Sequence, residues 1–385
     1  MDFEYSEQEL ELKNRVRRFA REKLLPIADR VDSVDDYSPE VIRLMADEGL
    51  FRYVAPKEYG GAGISSVSAC IIREELSQVC TQADLSFIMS LFAGHAITEF
   101  GTEEQKGKYL PALASGEKVG TAAITEPGAG SDISAIETTA TLEGNHYILN
   151  GTKNFCSMGA AAEVCVIIAT VDPSLEAKGL SAFITDCKNP QPGLKTQVMG
   201  LMSPHPVYRI EFSNYRLPRE NILGHEGQGF EVVLSILGRA RPTVAAAAIG
   251  MALSAYEQSL DYVQKRVAFK RPIVRFQAMQ LKLADMMTNI EAARWLTLRA
   301  AWTRDREDSE ESMKQASMAK LFATEAAQRV IDEAVQIHGG YGLIRGSRVE
   351  YLYRTIRALR IYEGTSEIQR LTITRALVRT TDRSV

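Results

Sequence analysis

Two stripes of small and apolar side chains in the last third of the chain strongly limit the folds it can adopt. In each stripe the residues recur at steps of three and four, the spacing of one face of an α-helix. The stripes are Phe276, Met279, Leu283, Met286, Ile290, Ala293 and Ala300, and then Ala316, Ala319, Ala323, Ala326, Val330, Ala334 and Ile337. Because many of these side chains are small, helices can approach closely along them, and we predict a tightly packed helical bundle.

The composition changes twice along the chain and divides it into three segments. Residues 1–118 have helical patterning, with Ser6 and Glu9 spaced as a capping box and Ser38-Pro39 placed as a helix start. Residues 119–228 are rich in short β-prone runs, and residues 229–385 are helical again. We therefore predict an α+β protein with an N-terminal helical domain, a middle antiparallel β domain and a C-terminal helical bundle domain.

Five runs in the middle segment are predicted to be strands, and turn residues separate them. They cover residues 138–142, 146–149, 164–170, 180–185 and 207–212. Glu143-Gly144-Asn145 lies between the first two and predicts a hairpin turn.

Bulk properties exclude several classes of function. With 385 residues and 45% hydrophobic residues, the chain can bury a large core over two or three domains. Its net charge of −4 predicts no binding to nucleic acid or to an anionic membrane. The alanine-rich stretch 242–256 is too short to span a bilayer and is predicted to be a buried helix.

The cysteines and the first residues bear on the compartment. The five cysteines are scattered without a Cys-x-x-Cys pair, which is typical of free thiols in a reducing compartment. The acidic N-terminal residues lead directly into a helical pattern, so no secretory signal or Arg-rich transit peptide is predicted. We expect the bacterial cytoplasm, or the mitochondrial matrix for a mature protein.

One carboxylate stands in a run that could carry chemistry. Glu363 precedes Gly364 and a helix-start signal at Thr365 or Ser366. A carboxylate at such a junction can project into a cleft from a rigid helix, as a general base must. The residue taken alone favours the simpler interpretation, a solvated glutamate at a helix entrance, where negative charge is stabilising.

That run belongs to a set of four segments. In chain order they are Ala123 to Asp132 (Ala-Ile-Thr-Glu-Pro-Gly-Ala-Gly-Ser-Asp), Arg266-x-x-Phe269, His338-Gly339-Gly340-Tyr341-Gly342, and Ile361 to Arg370 (Ile-Tyr-Glu-Gly-Thr-Ser-Glu-Ile-Gln-Arg). With these separations the sequence closely resembles the acyl-CoA dehydrogenase family, from about residue 3 to about residue 380. The resemblance implies the same helical, β and helical order, with a four-helix bundle at the C-terminus, and FAD as the cofactor.

The resemblance implies a reaction as well. Dehydrogenation of an acyl-CoA to the 2-enoyl-CoA needs a base for the α-proton and a redox cofactor for the β-hydride, since no side chain accepts a hydride well. The matching base is Glu363, and the hydride acceptor is the flavin N5. The backbone N–H of Glu363, with a flavin ribityl hydroxyl, would hold the thioester carbonyl. Ala240 matches the position of an alternative base in other members and cannot abstract a proton.

Further residues match family positions that contact the flavin or the substrate. Taken alone, Phe155 would be interpreted as a strand-core residue, and Arg241 as part of a surface salt bridge. His338 is expected to be a packed or hydrogen-bonded histidine, and no metal site is predicted. The cofactor-binding matches are Ile124, Thr125, Gly130, Ser131, Phe155 and Ser157, then Arg266, Phe269, Gln336 and Gly340 toward a neighbouring subunit, and Thr365 and Glu367 on the adenosine side. The substrate-binding matches are Ser131, Arg241, Tyr362 and Gly364.

Three departures from the family pattern are local. Met202 to Pro206 (Met-Ser-Pro-His-Pro) replaces a loop that usually carries an arginine. Lys270 stands where a glycine commonly follows the phenylalanine, and Arg354-Thr355 stands where Arg-Asp is typical. None of them changes the matched base.

The resemblance implies an acyl-CoA dehydrogenase, a homotetramer that passes electrons to an electron-transferring flavoprotein. An acyl-CoA oxidase or enoyl-CoA reductase on the same scaffold, a flavin monooxygenase of the same fold, and a non-enzymatic helical scaffold are the alternatives. The segment matching the acyl-binding region, residues 86–95, contains no Arg or Lys. We therefore expect an uncharged acyl chain of short to medium length, including branched or cyclic chains. A protonated His95 is the one exception that could receive an anion.

Overall fold

The computed structural model describes residues 4–34, 36–189, 191–307 and 309–382. Its N-terminal part is helical, as predicted. The helices are α1 (Glu7–Phe19), α2 (Leu25–Val31), α3 (Pro39–Asp47), α4 (Ser66–Ser77), α5 (Thr81–Phe100) and α6 (Glu103–Ser115), with a π-helical turn at Ala20–Leu24 joining α1 to α2. The predicted capping box is confirmed, because Ser6 Oγ accepts from the Glu9 N–H at 3.3 Å and the Ser6 N–H donates to Glu9 Oε2 at 2.8 Å.

The described residues of the middle part form one eight-stranded sheet. Its strands are β1 (Gly120–Ala123), β2 (Thr139–Glu143), β3 (His146–Ser157), β4 (Val164–Thr170), β5 (Leu180–Thr185), β6 (Leu194–Met199), β7 (Val207–Pro218) and β8 (Ile222–Leu223). The strand order is β6-β7-β3-β2-β4-β5-β8, and β1 pairs with β4. The predicted turn at Gly144-Asn145 joins β2 to β3 in register, with Glu143 opposite His146.

The sheet differs from the prediction in three strands and in two parallel pairings, of β1 and of β2 with β4. β1, β6 and β8 were not predicted, and β1 runs parallel to β4 while the other extended pairings are antiparallel. The parallel strand follows from the packing, since β1 comes straight from α6 and lies against α5. Gly120 allows this approach, because a Cβ there would lie 2.6 Å from the Cβ of Ala93.

The C-terminal part is the predicted bundle. It contains α7 (Gly229–Lys265), a hairpin of β9 (Val267–Ala268) and β10 (Arg271–Pro272), then α8 (Gln277–Arg304), α9 (Glu310–His338), α10 (Arg348–Leu359) and α11 (Ser366–Asp382). α7, α8 and α9 pack against one another, and α10 and α11 pack on α9. Both predicted stripes are confirmed as core faces. Leu283, Met286 and Ile290 are buried on α8, and the alanines of the second stripe are buried on α9.

The alanine-rich stretch is part of a much longer helix than expected. α7 has 37 residues, and its length and apolar composition alone would allow it to cross a membrane. Most of that apolar stretch is buried inside the protein, against α4, α8 and α9. α7 is therefore a core helix that joins the N-terminal helices to the bundle.

Candidate active site

Glu363 lies in the short loop between α10 and α11, in a backbone conformation that side chains rarely adopt. Its φ is 57° and that of Gly364 is 88°, so two consecutive residues are left-handed. Such a conformation costs a non-glycine residue on the order of 1 kcal/mol or more and persists only where surrounding contacts enforce it. Contacts with surrounding residues must therefore offset the energetic cost of this backbone conformation.

Two fully buried side chains hold the carbonyls of this turn. Gln369 Nε2 donates to the Glu363 carbonyl at 3.1 Å and to the Gly364 carbonyl at 2.9 Å. Lys320 Nζ, from α9, also donates to the Gly364 carbonyl, at 2.8 Å. The predicted helix start is at Thr365, whose Oγ1 accepts from the Ile368 N–H at 3.3 Å. The backbone around Glu363 is thus fixed from both α9 and α11.

Charged groups from three helices surround the Glu363 side chain, which is partly exposed to solvent. Burial raises the pKa of its carboxyl, and the positive charges of Lys320, Arg73 and Arg241 oppose that rise. Burial also lowers the pKa of Lys320 to about 8, against the attraction of Glu363. A carboxylate whose pKa is raised is a stronger base, and nearby cations keep it ionised near neutral pH.

Arg73 and Asp84 form a buried ion pair beside this group that was not predicted from the sequence. Arg73 Nε and Nη2 donate to the two Asp84 carboxylate oxygens at 2.7 Å each, and both side chains are only 1% exposed. Arg73 Nη1 also donates to Thr243 Oγ1, at 3.2 Å, and Arg73 lies next to Tyr362. Asp84 offered a signal in the sequence, since it interrupts the apolar helix α5, whereas Arg73 is followed directly by Glu74 and Glu75 on α4.

Arg241 is deeply buried between α7 and α9, so the surface salt bridge that the lone residue favoured is wrong. Its Nη1 donates to Ser317 Oγ at 3.1 Å and lies 2.9 Å from Met313 Sδ. The charge of Glu363 opposes the fall that burial imposes on the Arg241 pKa. The coenzyme A contact expected for Arg241 stays a prediction.

The six flavin-facing matches of the β domain fall on two neighbouring segments. Ile124, Thr125, Gly130 and Ser131 lie on the loop after β1, and Phe155 and Ser157 lie at the end of β3. The Asn154 N–H donates to the Thr125 carbonyl at 2.8 Å and brings the segments together. Phe155 has a φ of 57° and is 53% exposed, so its interpretation as a strand-core residue is wrong. An exposed aromatic face beside backbone and hydroxyl groups fits one side of a flavin ring.

A buried ion pair, also missed in the sequence, ties this loop to the sheet. Lys153 Nζ lies 2.6 Å from Glu126 Oε1 and donates to the Ile124 carbonyl at 3.0 Å. The Glu126 carboxylate accepts in turn from the backbone N–H groups of Glu137, at 2.6 Å, and Thr138, at 3.0 Å. Both ends of the loop are therefore anchored at a single carboxylate.

The four matches assigned to a neighbouring subunit's cofactor lie at the far ends of α7 and α9. Arg266 and Gly340 line a cavity of about 420 Å³, together with Tyr262, His338 and Tyr341. Gln336 is on the last turn of α9, and Phe269, at the tip of the β9–β10 hairpin, is 89% exposed. His338 stacks on Tyr262 at 4.4 Å and its Nδ1 lies 2.7 Å from the Ala334 carbonyl, so it is the packed histidine that was predicted.

The β9–β10 hairpin carries Lys270 at the position where a glycine is common in the family. Phe269 and Lys270 have φ values of 50° and 64°, in the region that favours glycine. Lys270 therefore adopts the backbone of the glycine that it replaces, at a cost on the order of 1 kcal/mol.

His95 is not suited to receive an anion. It is buried on α5 with Nε2 2.8 Å from Ser235 Oγ. Burial, and then the positive charges of Arg239 and Arg304, hold its pKa well below the usual value. The imidazole is neutral at physiological pH. In the part of the chain that the structure describes, no group of His, Cys, Asp and Glu residues could hold a metal ion.

Comparisons with known proteins agree with this geometry. Sequence profiles of the acyl-CoA dehydrogenase N-terminal, middle and C-terminal domains match residues 6–117, 121–215 and 227–378. The chain is 40% identical to the 3-(aryl)acrylate reductase of Clostridium sporogenes, over 97% of this chain and 100% of that protein. It is 38% identical to the short-chain specific acyl-CoA dehydrogenase of Clostridium acetobutylicum, over 98% and 100% of the two chains.

Solved structures show the same likeness. One solved structure, from work on the electron transferring flavoprotein of Acidaminococcus fermentans, matches this chain with a TM-score of 0.94. The two chains are 38% identical, and the match covers 98% of this chain and 100% of the other. An acyl-CoA dehydrogenase of Bacillus anthracis complexed with FAD has a TM-score of 0.90, 32% identity, and coverage of 99% and 68%.

The chain belongs to the acyl-CoA dehydrogenase family. It is a flavoprotein that uses FAD, and an oxidoreductase acting on CH–CH groups. The residue assignments made above for FAD and for the substrate remain predictions.

Proposed function

We propose that this protein removes the α-proton and the β-hydride of an acyl-CoA thioester, with Glu363 as the base. The observation that carries the proposal is the Glu363 carboxylate itself, which is held in a left-handed turn and lies near the three cations Lys320, Arg73 and Arg241. Ala240, at the position of the alternative base, is an alanine buried in α7 and offers no proton acceptor. We also propose the domain limits 1–118, 119–228 and 229–385.

The roles of the other residues follow from their positions. Bound FAD supplies the hydride acceptor. The Glu363 N–H would donate to the thioester carbonyl and so stabilise negative charge as the α-proton leaves. Thr125, Ser131 and Phe155 would orient the flavin against the acyl group, on a loop that Glu126 and Lys153 anchor. Tyr362 and Gly364 flank the base in the chain, and Arg241 is close enough for the charge of Glu363 to act on it.

We expect an uncharged acyl group of short to medium length. A distal carboxylate would need a cation of its own, since burying an unpaired charge is costly. Near Glu363 the Arg73 guanidinium is already bonded to Asp84 and Thr243, and the charges of Lys320 and Arg241 act on Glu363 itself. In the segment that matches the acyl-binding region, residues 86–95, there is no Arg or Lys, and burial lowers the pKa of His95.

Anaerobic flavin bleaching tests both the reaction and the acyl group. The holoenzyme is mixed with butyryl-, hexanoyl-, palmitoyl-, branched, cyclic, 3-phenylpropanoyl- and glutaryl-CoA, and the rate of flavin bleaching is compared at equal concentrations. We expect bleaching by uncharged short and medium chains. A preference for glutaryl- or palmitoyl-CoA would contradict the assignment of the pocket, and no bleaching by any thioester would contradict the function.

Reduction of an enoyl-CoA, the reverse reaction, is a second candidate function. One relative that is 40% identical to this chain is named a 3-(aryl)acrylate reductase. The same base would then return the α-proton to an enoyl-CoA. Reoxidation of the chemically reduced holoenzyme by enoyl- and arylacryloyl-CoA, compared with reoxidation by an electron-transferring flavoprotein and by oxygen, distinguishes reductase, dehydrogenase and oxidase. We propose the flavoprotein as the acceptor, supported by the structural neighbour described with such a protein.

We further propose a homotetramer whose cofactor site spans two subunits. The cavity at Arg266 and Gly340 and the exposed Phe269 lie on ends of the bundle that a neighbouring subunit could cover. Because a ligand bound only by the assembled form stabilises it, removal of FAD is expected to weaken the oligomer. Sedimentation of the holo- and apo-proteins over a concentration series measures this, and unchanged association of the apo-protein would argue against a shared site.

A further inference from the structure

Lys320 is a fully buried lysine whose hydrogen bond goes to the turn that carries Glu363. It lies on the core face of α9, four residues after Ala316, and is 0% exposed. Its Nζ donates to the Gly364 carbonyl at 2.8 Å. A lysine is almost never buried so completely without an anionic partner.

The surrounding charges show which anion it faces. Arg73 is neutralised by the bidentate contact with Asp84. Glu325, the other carboxylate near Lys320, is bonded to Arg360 Nε at 3.0 Å and to Ser366 Oγ at 2.7 Å. The carboxylate that remains for Lys320 is Glu363.

Arg241 faces the same carboxylate, but its own hydrogen bonds go to the neutral Ser317 and Met313. Two buried cations, Arg241 and Lys320, therefore feel the charge of one anion, the partly exposed Glu363. Of the two, only Lys320 is also bonded to the backbone of the turn. Tyr362, on the same loop, is held neutral because burial raises its pKa.

We propose that Lys320 is a positioning residue for the base, acting through Glu363 without touching the substrate. Its hydrogen bond holds the left-handed turn at Glu363 and Gly364, and its charge keeps the Glu363 carboxylate ionised at the pH of turnover. The inference rests on the proposed role of Glu363 as the base. No proton is transferred by Lys320 itself.

The two effects have separate signatures. Proton abstraction needs the carboxylate, so the bleaching rate at saturating acyl-CoA rises with pH through the pKa of Glu363. Without the cation at position 320 the neutral carboxyl is favoured, so this inflection moves to higher pH, by about one unit or more. Loss of the hydrogen bond releases the turn and lowers the high-pH plateau by about tenfold or more.

Lys320→Met and Lys320→Arg separate these effects from simple destabilisation. Methionine keeps the length and loses both charge and donor, whereas arginine keeps both. We expect the methionine variant to bind FAD and acyl-CoA with little change. Its bleaching rate should show an inflection at higher pH and a lower plateau at high pH. The arginine variant should keep the wild-type inflection. Lys314→Gln, on the same helix and paired with Glu311, is the matched control and should leave the profile unchanged.

Infrared difference spectra provide a readout that does not depend on turnover. The protonated carboxyl band of Glu363, identified by its absence in Glu363→Gln, should titrate at higher pH in Lys320→Met than in the wild type. An unshifted band together with an unshifted rate profile would overturn the proposal for Lys320. Failure of the wild-type enzyme to bleach with any acyl-CoA would instead overturn the proposed function, and the role of Lys320 with it.

Discussion

Replacing Glu363 by glutamine is expected to leave FAD and acyl-CoA binding intact and to slow flavin reduction about a hundredfold or more. Glutamine keeps the shape of the side chain and the backbone N–H of the turn, but its amide cannot accept the α-proton. Stopped-flow bleaching under anaerobic conditions measures the step directly, and acyl-CoA binding is followed separately by titration of the flavin spectrum.

Glu104→Gln is the matched control for this substitution. Glu104 is an exposed glutamate near the start of α6, and loss of its charge should change the bleaching rate less than twofold, roughly the scatter expected of a neutral surface change. Bleaching by Glu363→Gln at a rate close to the wild type would show that another group takes the proton.

The buried pair of Arg73 and Asp84 is expected to give the largest change in stability. Asp84→Ala leaves the Arg73 guanidinium uncompensated in the core, which should lower the free energy of unfolding by about 3–5 kcal/mol. Urea denaturation of the holoenzyme, followed by circular dichroism and by release of the flavin, measures the change.

Two controls separate the charge from the cavity that alanine creates. Glu40→Ala removes an equally short ion pair, with Arg30 at 2.6 Å, but at the surface, and should cost less than about 1 kcal/mol. Replacing both buried partners, in Arg73→Met with Asp84→Leu, should recover most of the lost stability, because neither charge of this pair then remains uncompensated. A single Asp84→Ala variant as stable as Glu40→Ala would mean that water reaches Arg73.

The elements that were predicted correctly are those whose signals lie within a few residues of one another. The capping box at Ser6, the turn at Gly144-Asn145 and the stripes of α8 and α9 are all recognised from residues spaced one to four apart in the sequence. β6, an edge strand with polar residues, and the short β1 and β8 have no such local pattern. Their pairing partners come from other parts of the chain, so they form strands only when those partners are present.

The residues of the candidate site also fall into two groups, those that local sequence signals identified and those that they did not. The motif from Ile361 to Arg370 identified Glu363 and its loop, because the left-handed turn, the glycine and the helix start are adjacent in sequence. The groups that set its charge were not identified. Arg73 on α4 and Lys320 on α9 would ordinarily be interpreted as solvated residues on their helices, and Asp84, although it interrupts the apolar α5, does not by itself indicate its partner.

The amino-acid sequence alone was enough for the α+β order of the segments, through local periodicity, and for the family and its cofactor, through the resemblance of contiguous motifs, which also gave the proposed base. Tertiary structure was needed to show that Phe155 is exposed and that Arg241 and Lys320 are buried around one carboxylate. The electrostatic energy of a charge depends on its distance from other charges and on its burial, and both are set only when helices distant in sequence pack together.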